Sequence, residues 1–358
     1  MILCVTLNSC LDKTLTVPRW KPGDPQVRGK AVREVVGGKG NNVARALKRL
    51  GRDARPVLFL GGPIGQWCEA LMRRDDGFEP FIVPTEASTR TILTVRGDSD
   101  DAQAEPTAFF DPDPAITAAE AHKMIVTVES LLQNENVEAL TMSGSSPSET
   151  THGVYSELIA LAKARRIPVF LDTYGPALKA IWGFWPDVMQ LNRREAAAHL
   201  GVGAGDPTDD QLYEMLDLWA SRGVQTGIVT DGPDDLLVRI DGRRLKAAPP
   251  EIEAVNPIGS GDCLLAGMTD AWLSGLGPEE SLRRGIALAV SNALTWDAGA
   301  VDPENLDQIP AAEIEDFQAV RGSEPRGSLR RGWMVPKHRN KRPTPTPAPA
   351  PAPSAEGK

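Results

Sequence analysis

Val137-Glu138-Ala139-Leu140-Thr141-Met142 is a short apolar, partly β-branched run that stops at the loop Ser143-Gly144-Ser145-Ser146-Pro147. A helical pattern fills 151–165, and the run Val169-Phe170-Leu171-Asp172 follows it. The alternation then repeats: a helix near 176–181, Val188-Met189-Gln190-Leu191, helices starting around Arg193 and over 211–221, and Thr226-Gly227-Ile228-Val229-Thr230. Near-continuous apolar runs of this length suit strands buried on both faces. Strands separated by helices require crossover connections, so the pattern predicts an α/β fold: a doubly wound, mostly parallel sheet with helices on both faces. Such sheets meet ligands at the carboxyl ends of their strands, where Ser143, Asp172, Asn192 and Thr230 fall.

The same reading extends to both sides. Ile2 to Leu7 and Arg55 to Gly62 read as further buried strands, with helices over 64–73 and 118–133. Asp12, just past the first strand, falls where α/β sheets meet ligands, with an ordinary turn aspartate as the alternative. Val27 to Val35 alternates polar with apolar residues, which predicts strands with one solvated face, better suited to a cover than to a core. Phe81-Ile82-Val83 and Thr91 to Val95 are strand-like and bracket Arg90, a candidate phosphate ligand because its fork grips two oxygens. Asp241-Gly242, flanked by Leu236-Leu237-Val238-Arg239-Ile240 and Arg244-Leu245-Lys246, is a hairpin signal. A last helix is expected over 278–297.

Two glycine-rich stretches carry the chemistry. In Asn256-Pro257-Ile258-Gly259-Ser260-Gly261-Asp262-Cys263-Leu264-Leu265-Ala266-Gly267, a loop runs into a helix whose first amides lack internal partners and face an anion-attracting dipole. Asp262 beside a bound anion is unfavourable unless the carboxylate is needed, for instance to accept a hydroxyl proton during attack on phosphorus. In Gly37-Gly38-Lys39-Gly40-Asn41-Asn42, glycines precede a helix that Gly51 ends. The spacing matches neither the dinucleotide fingerprint nor the Walker loop. It still lets the backbone pass close to a polyhydroxylated ligand, with Asn42 offering a donor and an acceptor.

Composition narrows the classes. Lys and Arg number 39 against 48 Asp and Glu, and nine of the basic residues lie in 321–358 with only two Glu. The remaining body is therefore more acidic than the net charge of −9 indicates, which argues against nucleic-acid binding by the folded part. The 321–358 segment, with its Thr-Pro and Ala-Pro repeats, reads as a disordered basic tail. Four cysteines without a CxxC pair predict no disulfide framework and no zinc site. No signal peptide and no membrane span is expected, so the predicted location is the cytoplasm.

Taken together, Thr6-Leu7-Asn8 through Leu11-Asp12, Gly37 to Gly40 with Asn42-Val43-Ala44-Arg45, Thr89-Arg90-Thr91, and Gly259 to Asp262 resemble the PfkB (ribokinase-like) carbohydrate kinases. The branch they resemble is that of 1-phosphofructokinase and tagatose-6-phosphate kinase, and the likeness runs in order over residues 1 to about 305. The resemblance implies a kinase domain over 1–320 with a small β-sheet lid from about 12–36 and 80–110. It implies ATP and magnesium, with fructose 1-phosphate as acceptor and tagatose 6-phosphate, fructose 6-phosphate or a catalytically weak sensor as alternatives. Asp262 would be the catalytic base, and Gly259, Ser260 and Gly261 the anion hole. Asp12, Gly38, Lys39 and Asn42 would hold the sugar, assisted by Ser143. Arg90, Arg28 and Lys39 would clasp its phosphate. Asn192, Thr230, Gly232, Gly261 and Asn292 would serve the nucleotide, and Glu195 magnesium through water. A homodimer would accompany such a lid. Three acids in Thr230-Asp231-Gly232-Pro233-Asp234-Asp235 stand where the family has an uncharged turn, which implies repulsion of nucleotide phosphates, and Gln190 stands in place of a frequent lysine.

Overall fold

In the computed structural model, residues 1–18, 21, 23–97, 106–202 and 206–317 are described. The expected tail at 321–358 lies outside them. The chain opens with β1 (Ile2–Thr6), β2 (Cys10–Val17) and β3 (Ala31–Gly37), then α1 (Lys39–Arg49), β4 (Ala54–Gly61) and α2 (Gly62–Arg74). There follow β5 (Phe81–Thr85), β6 (Arg90–Gly97), β7 (Thr107–Phe110), α3 (Ala118–Asn134), β8 (Ala139–Ser143), α4 (Val154–Ala164), β9 (Val169–Asp172) and α5 (Gly175–Lys179). The last part holds β10 (Val188–Asn192), α6 (Arg193–Leu200), α7 (Asp209–Ser221), β11 (Thr226–Asp231), β12 (Asp234–Ile240), β13 (Arg243–Ala248), α8 (Ser260–Leu273), α9 (Pro278–Ala293) and β14 (Glu313–Asp316).

Two sheets form. The large one runs β14-β13-β12-β11-β10-β9-β8-β1-β4-β5. Every pairing from β11 through to β5 is parallel, and the other three are antiparallel. Helices cover both faces because strand side chains alternate. Ile2 and Cys4 belong to the core on one side, Leu3 and Val5 to the core on the other. The mostly parallel, doubly wound sheet is as the alternation predicts.

The small sheet, ordered β3-β2-β6-β7, carries half-exposed strands, as a cover does. Its membership bears on two expectations. Asp12 lies inside β2 rather than in a turn, because Cys10 to Val17 pairs along its whole length with β6. Phe81–Thr85 pairs with β4 at the edge of the large sheet, so the small sheet takes its later strands from Arg90 onward rather than from residue 80. The last long helix is also shorter than expected. It ends at Ala293, where Asn292 Oδ1 accepts the Gly299 amide at 2.8 Å and Thr295 Oγ1 donates to Asn292 O at 2.8 Å. Trp296 and Asp297 thereby fall in a loop. No described helix is long and apolar enough to cross a membrane.

Candidate active site

The site forms where the amino ends of α1 and α8 meet the carboxyl ends of the parallel strands. Gly38 caps α1 with φ +116°, and a Cβ there would lie 2.7 Å from Thr6 Cγ2. Only glycine lets the helix begin this close to β1. Gly259 does the same for α8: φ is +87°, and a Cβ would lie 2.9 Å from Ala298 Cβ.

These two starts bring Asn42 and Asp262 together. Asn42 Nδ2 donates to Asp262 Oδ2 at 2.8 Å, and the Asp262 side chain is buried. The amides at the head of α8 are not equivalent. That of Ser260 donates to Pro257 O at 3.2 Å, leaving those of Gly261 and Asp262 as the donors that lead the helix. Of the expected cradle of Gly259, Ser260 and Gly261, the Ser260 amide is thus the one engaged within the loop.

Lys39 Nζ, expected to hold the sugar and its phosphate, donates to Asp172 Oδ1 at 2.9 Å and Glu195 Oε1 at 3.0 Å. Gln190 Nε2 donates to Asp172 Oδ2 at 3.0 Å and to Gly261 O at 2.9 Å. Gln190 thus ties β9 and β10 to the first turn of α8, and the positive charge near the helix head comes from Lys39. Three carboxylates share that one ammonium. Burial pushes the Asp262 carboxyl up to about 7, with Asp172 adding to the effect and Lys39 opposing it. Burial and Asp172 likewise raise Glu195. Burial disfavours the Lys39 ammonium, but Asp172 and Glu195 outweigh it and raise that group above its ordinary value.

Across the cavity, β2 and β6 set Asp12 near Arg90, since Cys10 pairs with Arg90 and Asp12 with Ile92. Burial raises the Asp12 carboxyl while Arg45 opposes it. Arg90 Nη1 donates to Asp113 Oδ1 at 2.8 Å, and the same oxygen accepts from Asn8 Nδ2 at 2.9 Å. Arg90 Nε and Asn8 Oδ1 are buried with no protein partner. Buried polar atoms are nearly always satisfied, so these two stand out among the residues that line the cavity. The small sheet closes over the cavity through Arg33, which pairs with Asp297, and Arg96, whose guanidinium lies 4.2 Å from the Trp296 ring centre.

The cavity measures about 880 Å³ and is lined by Asp12, Gly38, Lys39, Asn42, Arg90, Asn192, Glu195, Thr230, Gly232, Gly259, Ser260, Gly261 and Asp262 among others. Three predicted residues stand apart. Arg28 is exposed and outside the lining. Ser143 is buried behind it, where Gly144 and Ser145 take the lining positions. Asn292 braces the loop from behind, donating to Ile258 O at 2.9 Å and Ser260 Oγ at 3.2 Å. The acidic turn after β11 is less charged toward the cavity than its sequence implies, because Asp231 pairs with Arg193 Nε at 2.8 Å. Asp172, Gln190, Asn8, Asp113 and Arg45 join the site without having been singled out as site residues. Asp172 carried a signal, an acid at the carboxyl end of a buried strand. Asp113, held between Pro112 and Pro114, carried none that spoke of Arg90.

Comparison with known proteins gives the family and the fold. The model of the pfkB family carbohydrate kinases matches residues 2–303. The chain belongs to the pfkB family. Phosphofructokinase-2 from Escherichia coli, in complex with fructose-6-phosphate, is similar at 25% identity and a TM-score of 0.72, over 86% of this chain and 97% of that one. A possible 1-phosphofructokinase from Thermotoga maritima is 22% identical with a TM-score of 0.76, over 88% of this chain and 99% of that one. Ribokinase from Arabidopsis thaliana, with ribose and ATP, is 18% identical with a TM-score of 0.65, over 86% and 97%. This PfkB protein is thus a phosphofructokinase-like sugar kinase, a phosphotransferase with a ribokinase-like α/β fold.

Proposed function

We propose that the kinase transfers the terminal phosphoryl group of ATP to a hydroxyl of a ketohexose phosphate, with fructose 1-phosphate and its 6-hydroxyl as the acceptor. The observation that carries this reading is the pairing, across one cavity, of Asp262 at the head of α8 with Arg90, whose Nε is buried and unpartnered. One end suits a reacting hydroxyl beside an anion-binding helix start, the other a second, unreactive anion. Arg90, freed from Asp113, would take the sugar's own phosphate in a forked grip. Asp12, Gly38 and Asn42 would hold the hydroxyls. Asp262 Oδ2 is occupied by the Asn42 amide, which leaves Oδ1 to orient the attacking hydroxyl and collect its proton late in a loose transition state.

At the nucleotide end the amides of Gly261 and Asp262 would meet the transferred phosphoryl group, and Asn192, Thr230 and Gly232 would border the nucleotide. Among the described residues no three His, Cys, Asp or Glu side chains group as a metal site. Glu195, an oxygen donor in the lining of the cavity, suits magnesium carried on nucleotide phosphates and held through water, since magnesium keeps much of its hydration shell. The ion would supply charge neutralisation on the phosphates. Lys39, drawn by Asp172 and Glu195, would supply further positive charge beside them.

Four buried, unpaired cysteines accord with a cytoplasmic setting, and the acidic body with small-molecule rather than nucleic-acid partners. A homodimer across the small sheet accompanies the reading, because its edge strands leave Val32, Phe109 and Phe110 open to solvent. Sedimentation of wild type and of Phe110→Ser tests that part. The reaction is tested by ADP release on a panel of fructose 1-phosphate, fructose 6-phosphate, tagatose 6-phosphate and the free sugars. Turnover confined to the phosphorylated sugars is the expected outcome. Sugar-phosphate binding without ADP release would make the protein a sensor instead.

A further inference from the structure

Arg45 stands three residues beyond Asn42 on α1, so the two side chains share one helix face. Its guanidinium is largely shielded and makes four contacts. Nη1 donates to Asn42 Oδ1 at 3.1 Å, Nη2 to Val36 O at 2.7 Å, and Nε and Nη2 to the two oxygens of Asp76 at 2.8 and 2.9 Å. The bidentate pair with Asp76 fixes the plane of the fork, and Val36, the penultimate residue of β3, fixes its far corner. What remains for Nη1 is a single direction, and it points at the Asn42 amide.

A primary amide can turn over, exchanging its oxygen and nitrogen. An arginine has only donors, so Nη1 accepts no orientation of Asn42 except the one with Oδ1 toward it. That orientation sends Nδ2 to Asp262 Oδ2 at 2.8 Å. Turned over, the amide would set an oxygen against the carboxylate and a nitrogen against the guanidinium, two repulsions in place of two hydrogen bonds.

We propose that Arg45 is a positioning residue for phosphoryl transfer: held by Asp76 and Val36, it locks the Asn42 amide so that Asp262 keeps one oxygen occupied and presents the other to the acceptor hydroxyl. Arg45 touches neither reacting group and acts through Asn42. The inference rests on Asp262 being the base in the reaction proposed above, and it adds the element that aims that base. Because Val36 lies at the end of the strand that carries Arg33 over the cavity, one residue before its last, the same guanidinium joins the root of the small sheet to the helix that bears Asn42.

The test is a double-substitution cycle on kcat with the best sugar phosphate of the panel. Arg45→Met keeps the side chain's length and removes the donors. Loss of a hydrogen bond that orients the base lowers kcat by about tenfold, the equivalent of roughly 1.4 kcal/mol. The KM for ATP stays near its wild-type value, because no contact of Arg45 lies at the nucleotide end. Asn42→Ala lowers kcat on its own, and Asn42→Ala with Arg45→Met together lowers it no further, since a lock has nothing left to hold. Multiplying effects, with the double variant slower than Asn42→Ala by the full factor of Arg45→Met, would overturn the proposal. If Arg45→Met does not fold, Asp76→Asn enters the same cycle, where it frees the fork and produces a smaller drop that again vanishes in the Asn42→Ala background. Wild type inert on every sugar phosphate would overturn the functional reading and this inference with it; an active wild type with multiplying effects overturns only the inference.

Discussion

Replacing Asp262 by Asn should slow the enzyme and stabilise the protein, and the two effects have one cause. The carboxyl is only 5% exposed and is bonded to Asn42. Burial lifts it from 3.8 to about 7, so the folded state favours the neutral form. Below pH 3.8 this costs nothing, because the group is protonated in both the folded and the unfolded chain. As pH rises toward 7 the unfolded chain releases the proton first, and the folded state loses stability relative to it until the folded group ionises too. At one pH unit for about 1.4 kcal/mol, the cost is of the order of several kcal/mol at pH 8 and falls toward pH 5. Asp262→Asn keeps the shape and removes the ionisation. Urea unfolding followed by tryptophan fluorescence should therefore show the variant more stable than wild type by several kcal/mol at pH 8, the gain shrinking toward pH 5. Turnover of the same variant should fall by about 10²- to 10⁴-fold, the usual contribution of a positioned base. A variant that is no more stable at pH 8 than at pH 5, relative to wild type, and that turns over at the wild-type rate would refute the reasoning.

Other outcomes follow from neighbouring contacts. The kcat of wild type should climb as pH passes through about 7, because Asp262 acts as a base only when ionised; a flat profile from pH 5.5 to 8.5 would contradict the assignment. Lys39→Met removes the cation that opposes the rise of Asp262, so the acid side of that profile should move to higher pH, as initial rates across buffers would record. Arg90→Ala should raise the KM for a sugar phosphate by about 10- to 100-fold, the loss of charge-assisted hydrogen bonds of roughly 1.5–3 kcal/mol, and leave the KM for ATP unchanged. Gly259→Ala forces a methyl to within 2.9 Å of Ala298 at φ +87°; it should cost at least ~1 kcal/mol in unfolding free energy and most of the turnover.

The large sheet was legible because its strands are short, apolar and separated by helices, a pattern that few other folds produce. The small sheet was less so. Cys10 to Val17 mixes Asp12, Lys13, Thr14 and Thr16 with its apolar residues and follows a turn-like Asn8-Ser9, so its identity as a strand depends on pairing with β3 and with β6, the latter 80 residues away in sequence (Cys10 with Arg90). The last strand, Glu313 to Asp316, is nearly all charge and is a strand only through its pairing with β13. For the site, glycine spacing revealed where two helices begin, and with them Asp262 and Asn42. It could not reveal which acids would claim Lys39, because Asp172 and Glu195 reach it from other elements. Arg45 was visible within a motif, yet its fork is directed by Asp76 and Val36, and no local pattern encodes that geometry. Arg28 illustrates the converse: a basic residue in a motif-rich segment that the fold leaves on the surface.

The measurement that bears most directly on the account is the fate of fructose 1-phosphate incubated with ATP, magnesium and the full chain, followed by phosphorus NMR. The account predicts a second phosphate ester on the sugar, attached at its 6-carbon, formed by wild type and not detectably by Asp262→Asn. Fructose 1-phosphate recovered unchanged while ATP is merely hydrolysed, or a product formed equally well by both proteins, would contradict it.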